Sequence, residues 1–212
     1  MNFSFLAIKN HLKTRDWKWL TKIICFAAII VLIATDQMVK LAVQKEIALG
    51  QERDFMPGFI NLKYILNHGS AFSLFQKQQF FLSFFAITIS MGGIIWLLFT
   101  TTITRSLALS FIIAGTIGNL TDRFLHDGGV VDFLAWELFP PYTIFNTADI
   151  FITVGIIIMI LQLIILAIIN IYQEKNGEPT NDPHNQAFTT IIDSKSQGNK
   201  SNISPNHKRE IR

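Results

Sequence analysis

Long apolar blocks separated by polar segments dominate the pattern of this chain. The blocks lie at about residues 19–43, 80–102, 107–125 and 147–172. An apolar run of about 20 residues can cross the hydrocarbon core of a bilayer as a helix. The pattern therefore predicts an all-α membrane protein with four transmembrane helices.

Residues 44–78 interrupt the helical pattern after the first block. They contain three Gly and one Pro, and apolar and polar residues alternate in FINLKYI at 59–65. Glycine and proline mark turns, and alternation with a period of two is typical of a strand. We therefore expect a small extracytoplasmic β-excursion between helices 1 and 2. Residues 126–145, which contain two Gly and two Pro, are expected to form a loop.

Both ends of the chain are polar and basic. Residues 1–22 contain five Lys and Arg, and residues 173–212 contain six among Asn, Ser and Pro. We expect a cytoplasmic N-terminal segment at 1–18, a four-helix membrane domain at 19–172 and a disordered cytoplasmic tail at 173–212. Residues 1–35 resemble a signal peptide, with basic residues before an apolar stretch, but no convincing A-x-A cleavage site precedes Asp36. We therefore interpret the stretch as a retained first helix.

The distribution of Lys and Arg predicts how the chain crosses the membrane. Both ends are basic and Arg105 lies between blocks two and three, whereas residues 126–145 have no Lys or Arg and three acids. Residues 44–78 weaken this asymmetry with four Lys and Arg. Because basic segments tend to remain cytoplasmic, we expect both termini in the cytoplasm and the 126–145 segment at the opposite face of the membrane.

Composition strengthens the prediction of a membrane protein. Half of the residues are apolar and 16% are charged, against about 25% charged residues in a typical soluble domain. The net charge is +3, but no basic patch is interleaved with aromatic residues. We therefore expect membrane lipids as partners and no nucleic acid. The single cysteine, Cys25, lies in the first apolar block and is interpreted as a packing residue.

One stretch, residues 115–151, collects polar side chains between two apolar blocks. Ionisable groups at or near membrane depth are costly and usually mark a functional site. The polar side chains of this stretch are Asn119, Asp122, Arg123, Asp132, Asn146 and Asp149. A further pair, Asp36 and Lys40, lies four residues apart on one face of the first helix, which predicts an ion pair.

Several kinds of chemistry have no motif in this sequence. There is no H-E-x-x-H, no pair of cysteines, no cluster of His with carboxylates at metal-ligand spacing and no G-x-S-x-G. We therefore expect no metal and no cofactor. A serine mechanism, in which His68 or His126 acts on Ser70 or Ser73, remains a weaker alternative.

Two carboxyl groups are the strongest candidates for catalysis. Asp132 has apolar neighbours in VVDFLAW, which should raise its pKa by desolvation. Asp149 falls in the first turn of the fourth helix if Asn146 or Thr147 is the N-cap, and the helix dipole there favours a carboxylate. Two such groups brought together can share one proton and activate water, as in aspartic proteases. The alternative is that both residues only cap helix ends at the membrane interface.

Five short motifs occur in order along the chain: TDQMVK, NHGSAF, GNLTDR, VVDF and FNTAD. Together they resemble the signature of the bacterial lipoprotein signal peptidase family (signal peptidase II) over about residues 20–172. The resemblance implies an aspartic endopeptidase of the inner membrane that removes signal peptides from prolipoproteins. Cleavage would occur just before the cysteine that carries diacylglycerol. We expect the enzyme to be a monomer.

The resemblance also assigns roles to single residues. Asp132 and Asp149 match the catalytic pair of the family. Four further residues match polar side chains that bind substrate or support the pair: Asn67, Asn119, Arg123 and Asn146. A structural role is implied for Asp36, Lys40 and Asp122, and Asp122 is expected to tether Arg123 or another cation.

Two other classes of function remain open on the residues alone. A small transporter or proton-coupled channel also carries acids and Arg within the membrane, but it predicts polar residues near mid-membrane in several spans. Spans two and four are nearly all apolar, which favours a hydrolase with its site near one face. A membrane scaffold would need neither acid and would tolerate Asp132→Asn and Asp149→Asn.

Overall fold

The computed structural model describes residues 3–69, 79–138, 140 and 143–176. The elements in chain order are α1 (Phe3–Glu46), β1 (Glu52–Met56), β2 (Ile60–Asn67), α2 (Gln79–Phe99), α3 (Ile103–Leu125), β3 (Val130–Trp136), β4 (Ile144–Phe145) and α4 (Thr147–Lys175). Each helix contains a stretch long and apolar enough to cross a bilayer. The prediction of four membrane helices in a multi-pass protein is confirmed.

Several helix boundaries differ from the predicted ones. Helix α1 begins at Phe3, well before its apolar stretch, which begins at Trp19. Helix α3 begins at Ile103, so that Arg105 lies in its first turn and not in a connecting turn. Most of the predicted tail, residues 177–212, lies outside the described residues, as do Ser70 and Ser73.

The four strands form one antiparallel sheet in the order β1-β2-β3-β4. Strands β1 and β2 form the predicted excursion between α1 and α2. The prediction of a plain loop at 126–145 is wrong, because this segment supplies β3 and β4. The reason is that VVDFLAW, a β-branched and aromatic run, pairs along its length with β2, where Ile65 is opposite Asp132 and Asn67 is opposite Val130. The non-local partner decides its conformation.

The chain comprises two compact units, Met1–Ile160 and Leu161–Arg212. The first contains the sheet, α1 to α3 and the beginning of α4, together with every residue of the site described below. The second contains the remainder of α4.

An apolar cluster joins the membrane helices of the first unit. Its buried members come from α1, α2 and α3: Cys25, Ile29, Leu97, Leu109, Ile113 and Ala114. Cys25 is a buried free thiol, in agreement with its interpretation as a packing residue. A second cluster of Val43, Ile47 and Phe133 fixes the sheet to the end of α1.

Small residues allow α3 and the beginning of α4 to approach closely. A Cβ atom on Gly115 would lie 2.3 Å from the Ala148 carbonyl oxygen, and one on Gly155 would lie 2.6 Å from the Ala108 carbonyl oxygen. No side chain fits in either position without a backbone shift. This close packing places the N-terminus of α4 directly against the last turns of α3.

Candidate active site

The N-terminus of α4 is closed by a reciprocal pair of hydrogen bonds. The backbone N–H of Asp149 donates to Asn146 Oδ1 at 3.0 Å, and the backbone N–H of Asn146 donates to Asp149 Oδ2 at 3.1 Å. This arrangement is a capping box, with Asn146 as the N-cap and Asp149 three residues later. Of the two predicted N-caps, Asn146 is the one observed, and Asp149 lies in the first turn as expected.

The second carboxyl group, that of Asp132, lies on β3 and accepts hydrogen bonds from two amides. Asn67 Nδ2 donates to its Oδ2 at 2.8 Å, and Asn146 Nδ2 donates to its Oδ1 at 2.7 Å. Asn67 is oriented in turn by the Gly69 N–H, which donates to its Oδ1 at 2.9 Å. Both amides therefore present donors, and not acceptors, to the carboxyl group.

Two amide side chains connect Asp132 to Asp149. Asn146 Nδ2 donates both to Asp132 and, at 3.0 Å, to Asn119 Oδ1. Asn119 Nδ2 then donates to Asp149 Oδ1 at 2.8 Å. One continuous network thus joins five predicted residues from β2, α3, β3 and the start of α4. These residues are Asn67, Asn119, Asp132, Asn146 and Asp149.

The surroundings of Asp132 shift its protonation. Burial raises the pKa of Asp132 from its ordinary value of 3.8 to about 7, and the nearby Asp149 carboxylate adds to the increase. The hydrogen bonds from Asn67 and Asn146 oppose this shift. The side chain is 3% exposed, so desolvation is the largest cause, as its apolar neighbours in the sequence predict.

A buried cluster of charges lies behind this network. Lys40 Nζ is 2.8 Å from Asp36 Oδ2 and 2.8 Å from Asp122 Oδ2, and the three side chains are 2%, 0% and 1% exposed. Lys40 also donates to Asn119 Oδ1 at 3.2 Å. The predicted pair of Asp36 and Lys40 is therefore present, and Lys40 is the cation that contacts Asp122.

Both acids of this cluster have further partners. Asp122 Oδ2 accepts a hydrogen bond from the Val131 N–H at 3.0 Å, and Asp36 Oδ1 accepts one from the Thr147 hydroxyl. Gln37 Nε2 donates to Asp122 Oδ1 at 2.9 Å and to Asp36 Oδ2 at 3.2 Å. No sequence signal singles out Gln37 beyond its place inside TDQMVK, and Thr147 stands out only as a candidate N-cap.

Arg123 lies beside the network and forms no ion pair with Asp122 among the described residues. Its guanidinium donates to the Asn119 carbonyl oxygen at 3.2 Å, and its buried Nε has no hydrogen-bond partner there. A guanidinium that is half-buried and not fully bonded can still donate to a bound carbonyl or carboxylate.

The histidines give no support to a serine mechanism. His126 Nε2 lies 3.3 Å from Gln44 Nε2, which also donates to the Tyr64 hydroxyl. His68 packs against Gly129, where an added Cβ would lie 2.9 Å from its ring. Their predicted partners, Ser70 and Ser73, lie outside the described residues.

Comparison with known proteins points in one direction. The model of the peptidase A8 family, signal peptidase (SPase) II, matches residues 28–165. The lipoprotein signal peptidase of Streptococcus pyogenes serotype M6 is 41% identical over 140 residues, which are 64% of this chain and 90% of that protein. The protein of the same name from serotype M5 is also 41% identical over 140 residues, with the same coverage.

Two solved structures have a similar fold. Both are described as a bacterial membrane enzyme determined by the in meso method, one at 2.3 Å and one at 1.9 Å resolution. The first gives a TM-score of 0.61 at 26% identity and covers 66% of this chain and 87% of that one. The second gives a TM-score of 0.59 at 26% identity and covers 66% and 91%.

Proposed function

Because this chain belongs to the signal peptidase II family, we propose that it is an aspartic endopeptidase with Asp132 and Asp149 as its catalytic pair. Family membership makes the chain a membrane peptidase that acts on lipoprotein signal peptides. The observation that carries the assignment of the pair is the amide network, in which Asn146 and Asn119 connect the two carboxyl groups. Two acids so connected can hold one proton between them.

The two carboxyl groups differ in the way that acid–base catalysis requires. Asp132 is buried on a strand and its pKa is raised to about 7, so that it retains a proton near neutral pH. Asp149 lies at a helix N-terminus, where its two oxygens accept hydrogen bonds from the Asn119 side chain and the Asn146 backbone N–H, so that it is oriented as a proton acceptor. Asp149 is therefore the general base, and Asp132 is the general acid.

The reaction uses one water molecule. The oxygen of the water attacks the scissile carbonyl carbon while Asp149 removes a proton from that water. At the same time Asp132 donates its proton to the carbonyl oxygen. When the tetrahedral intermediate breaks down, the carbon–nitrogen bond cleaves and the leaving amine takes a proton from the Asp149 carboxyl group. Asp132 takes back the proton of one hydroxyl group as the new carbonyl forms, so that both carboxyl groups return to their starting state. Arg123, with its partly unsatisfied guanidinium, holds a carbonyl group of the substrate backbone.

The substrate is a prolipoprotein whose cysteine carries diacylglycerol, and cleavage occurs just before that cysteine. Many apolar side chains on α1, α2 and α4 are exposed on the outside of the helices, which suits contact with lipid. A signal peptide and two acyl chains can approach through this apolar surface. The polar network lies at the end of α3 and the beginning of α4, close to the sheet, so that the cut bond sits at a membrane surface.

The membrane arrangement follows from the basic ends of the chain. The sheet and the catalytic pair lie on the extracytoplasmic side of the inner membrane, and both termini lie in the cytoplasm. Residues 19–172 form the peptidase domain, flanked by a cytoplasmic segment at 1–18 and a polar tail at 173–212, and the enzyme works as a monomer.

The test is cleavage of a purified prolipoprotein with and without diacylglycerol on its cysteine. We expect the wild type to cut the lipidated form. Asp132→Asn and Asp149→Asn should each lower turnover by at least about 10³-fold, because each removes one proton-transfer group. Asp127→Asn is the matched control, since Asp127 is an exposed acid in the turn after α3.

Each result has a clear meaning. Unchanged turnover in either Asn variant would show that the pair is misassigned. Equal cleavage of both substrates would show that the enzyme does not require diacylglycerol on the cysteine, and would contradict that part of the proposal. A folded wild type that cuts neither substrate would contradict the proposed activity as a whole.

A further inference from the structure

The charge cluster behind the proposed catalytic pair joins two acids to one lysine. Among the described residues, Lys40 is the cation within ion-pair distance of both Asp36 and Asp122, and all three side chains are buried. A buried ion pair of one lysine and one acid would already be neutral. A second buried carboxylate adds a charge that is costly to desolvate, so both acids are expected to do something besides pairing with Lys40.

Each acid reaches towards a different catalytic residue. Asp122 accepts a hydrogen bond at 3.0 Å from the N–H of Val131, the residue next to Asp132 on β3. Asp36 accepts one from the hydroxyl of Thr147, the first residue of α4, two positions before Asp149. The first contact connects α3 to β3, and the second connects α1 to α4.

Lys40 sets the distance between the two contacts. Its Nζ lies 2.8 Å from each acid and 3.2 Å from Asn119 Oδ1. Asn119 in turn donates to Asp149. Gln37 Nε2 adds a second connection between the two acids, with distances of 3.2 Å to Asp36 and 2.9 Å to Asp122.

We infer that Asp36, Lys40 and Asp122 form a positioning clamp, in which Asp122 locates β3 and its Asp132 while Asp36, through Thr147, locates α4 and its Asp149. Thr147 is accordingly a positioning residue for the reaction. This inference rests on the proposed catalytic pair. A misplacement of about 1 Å between reacting groups can cost about 10²-fold in rate, which gives such a clamp a function apart from stability.

The clamp has two arms, namely the contact of Asp36 with Thr147 and the contact of Asp122 with Val131. The lack of a side chain at Gly118 leaves space for the Asp36 arm. A Cβ atom on Gly118 would lie 2.6 Å from Asp36 Oδ2 and 3.3 Å from the Ala148 Cβ atom. Glycine at this position therefore lets Asp36 and the start of α4 lie against α3 together.

The Asp36 arm is tested with Thr147→Val, which keeps the shape of the side chain and removes the hydroxyl. Turnover of the lipidated substrate should give a kcat lowered about tenfold or more, with a KM within about twofold of the wild type because substrate contacts are intact. Thr147→Ser should restore most of kcat. Thr116→Val is the control, since the Thr116 side chain is buried and its hydroxyl donates within α3 to the Ile112 carbonyl oxygen.

The Asp122 arm is tested by comparing Asp122→Asn with Asp122→Ala. An Asn side chain keeps an oxygen that can accept the Val131 N–H, whereas Ala has none. We expect both variants to lose kcat, and the Ala variant to lose several-fold more than the Asn variant. Melting temperatures in detergent establish that each variant is folded before its kcat is compared.

The outcomes separate this inference from the proposed pair. A Thr147→Val enzyme with a lowered melting temperature and an unchanged kcat would overturn the clamp, as would equal losses in Thr147→Val and Thr116→Val. Equal losses in the two Asp122 variants would overturn the Asp122 arm. Asp132→Asn and Asp149→Asn are measured in parallel, and turnover by either of them would contradict the catalytic pair instead.

Discussion

Leu97 and Ile113 in the apolar cluster are buried, and so are Lys40 and Asn146 in the polar cluster. Both clusters join α1 to α3. The apolar cluster is held by packing, which is non-directional. In the polar cluster, Asn146 uses both amide hydrogens and its carbonyl oxygen on named partners. The orientation of the Asn146 amide is therefore determined by specific hydrogen bonds.

This difference suggests a division of roles between the two clusters. Apolar contacts tolerate changes of shape at constant volume, so the apolar cluster can hold the helices together with many sequences. A buried polar group that loses its partner costs about 1–3 kcal/mol, and a charged group costs more. The polar cluster is therefore the less tolerant region, and it is also the one that contains the proposed catalytic pair.

Lys40→Met should produce the largest difference between the two clusters. It removes the cation between Asp36 and Asp122 and leaves two buried acids without it, which should lower the free energy of unfolding by about 3–5 kcal/mol. Unfolding in detergent by titration with a denaturing surfactant measures this loss. Adding Asp36→Asn and Asp122→Asn to the same chain should recover part of the loss, and a Lys40→Met variant as stable as the wild type would contradict the comparison.

Two glycines give a matched pair of substitutions. Gly118→Ala places a methyl group 2.6 Å from Asp36 Oδ2, whereas Gly93→Ala places one 2.9 Å from Ile113 Cγ1. Ile113 can adjust within an apolar environment, but Asp36 is held by Lys40 and Gln37. Overpacking of a core lowers the free energy of unfolding by about 1–3 kcal/mol. We expect Gly118→Ala also to lower kcat, and Gly93→Ala to leave it unchanged.

Activity should depend on pH through Asp132. As the proposed general acid, this group must hold its proton, so kcat should fall as pH rises through about 7, the pKa that burial gives it. Asn67→Ala removes a hydrogen bond that favours the ionised form, which raises this pKa and moves the alkaline limit of the activity profile to higher pH. A limit that stays in place, or moves to lower pH, would contradict the assignment.

The same shift affects stability with a defined sign. The folded chain holds a proton on Asp132 that the unfolded chain releases, because the pKa is raised from 3.8 to about 7. The contribution of this group to stability is therefore complete below pH about 4 and is lost as pH rises to about 7. Asp132→Asn should remove this part of the pH dependence of the melting temperature.

Ile113→Val should have the smallest effect. It removes one methylene from the apolar cluster and should lower the free energy of unfolding by about 0.5–1.5 kcal/mol. No directional contact is lost, so kcat should remain within about twofold of the wild type. A loss of kcat comparable to that of Gly118→Ala would show that the two clusters do not differ as proposed.

The helices were predictable because their signal is local. Each apolar block of about 20 residues has only one stable way to satisfy its backbone in lipid. The start of α1 at Phe3 was not predictable, since the basic residues before Trp19 form no apolar run. The strand at Val130–Trp136 was also missed, because its conformation depends on pairing with β2, more than sixty residues earlier in the chain.

The site was predictable in its residues but not in its connections. The acids and amides stand out against an apolar background, and the family motifs contain all of them. The partner of Asp122 could not be read from the sequence, because Lys40 and Arg123 were both available as cations. The structure pairs Asp122 with Lys40, and only three-dimensional geometry makes that choice.

Asp149, the proposed general base, is also a member of the capping box at the start of α4. An inactive variant made at this position changes the end of a membrane helix as well as the chemistry. Asp132 caps no helix in the described part of the chain, where its oxygens accept hydrogen bonds from the side chains of Asn67 and Asn146. A trap that captures uncut substrate in its native pose is therefore better built from Asp132→Asn than from Asp149→Asn.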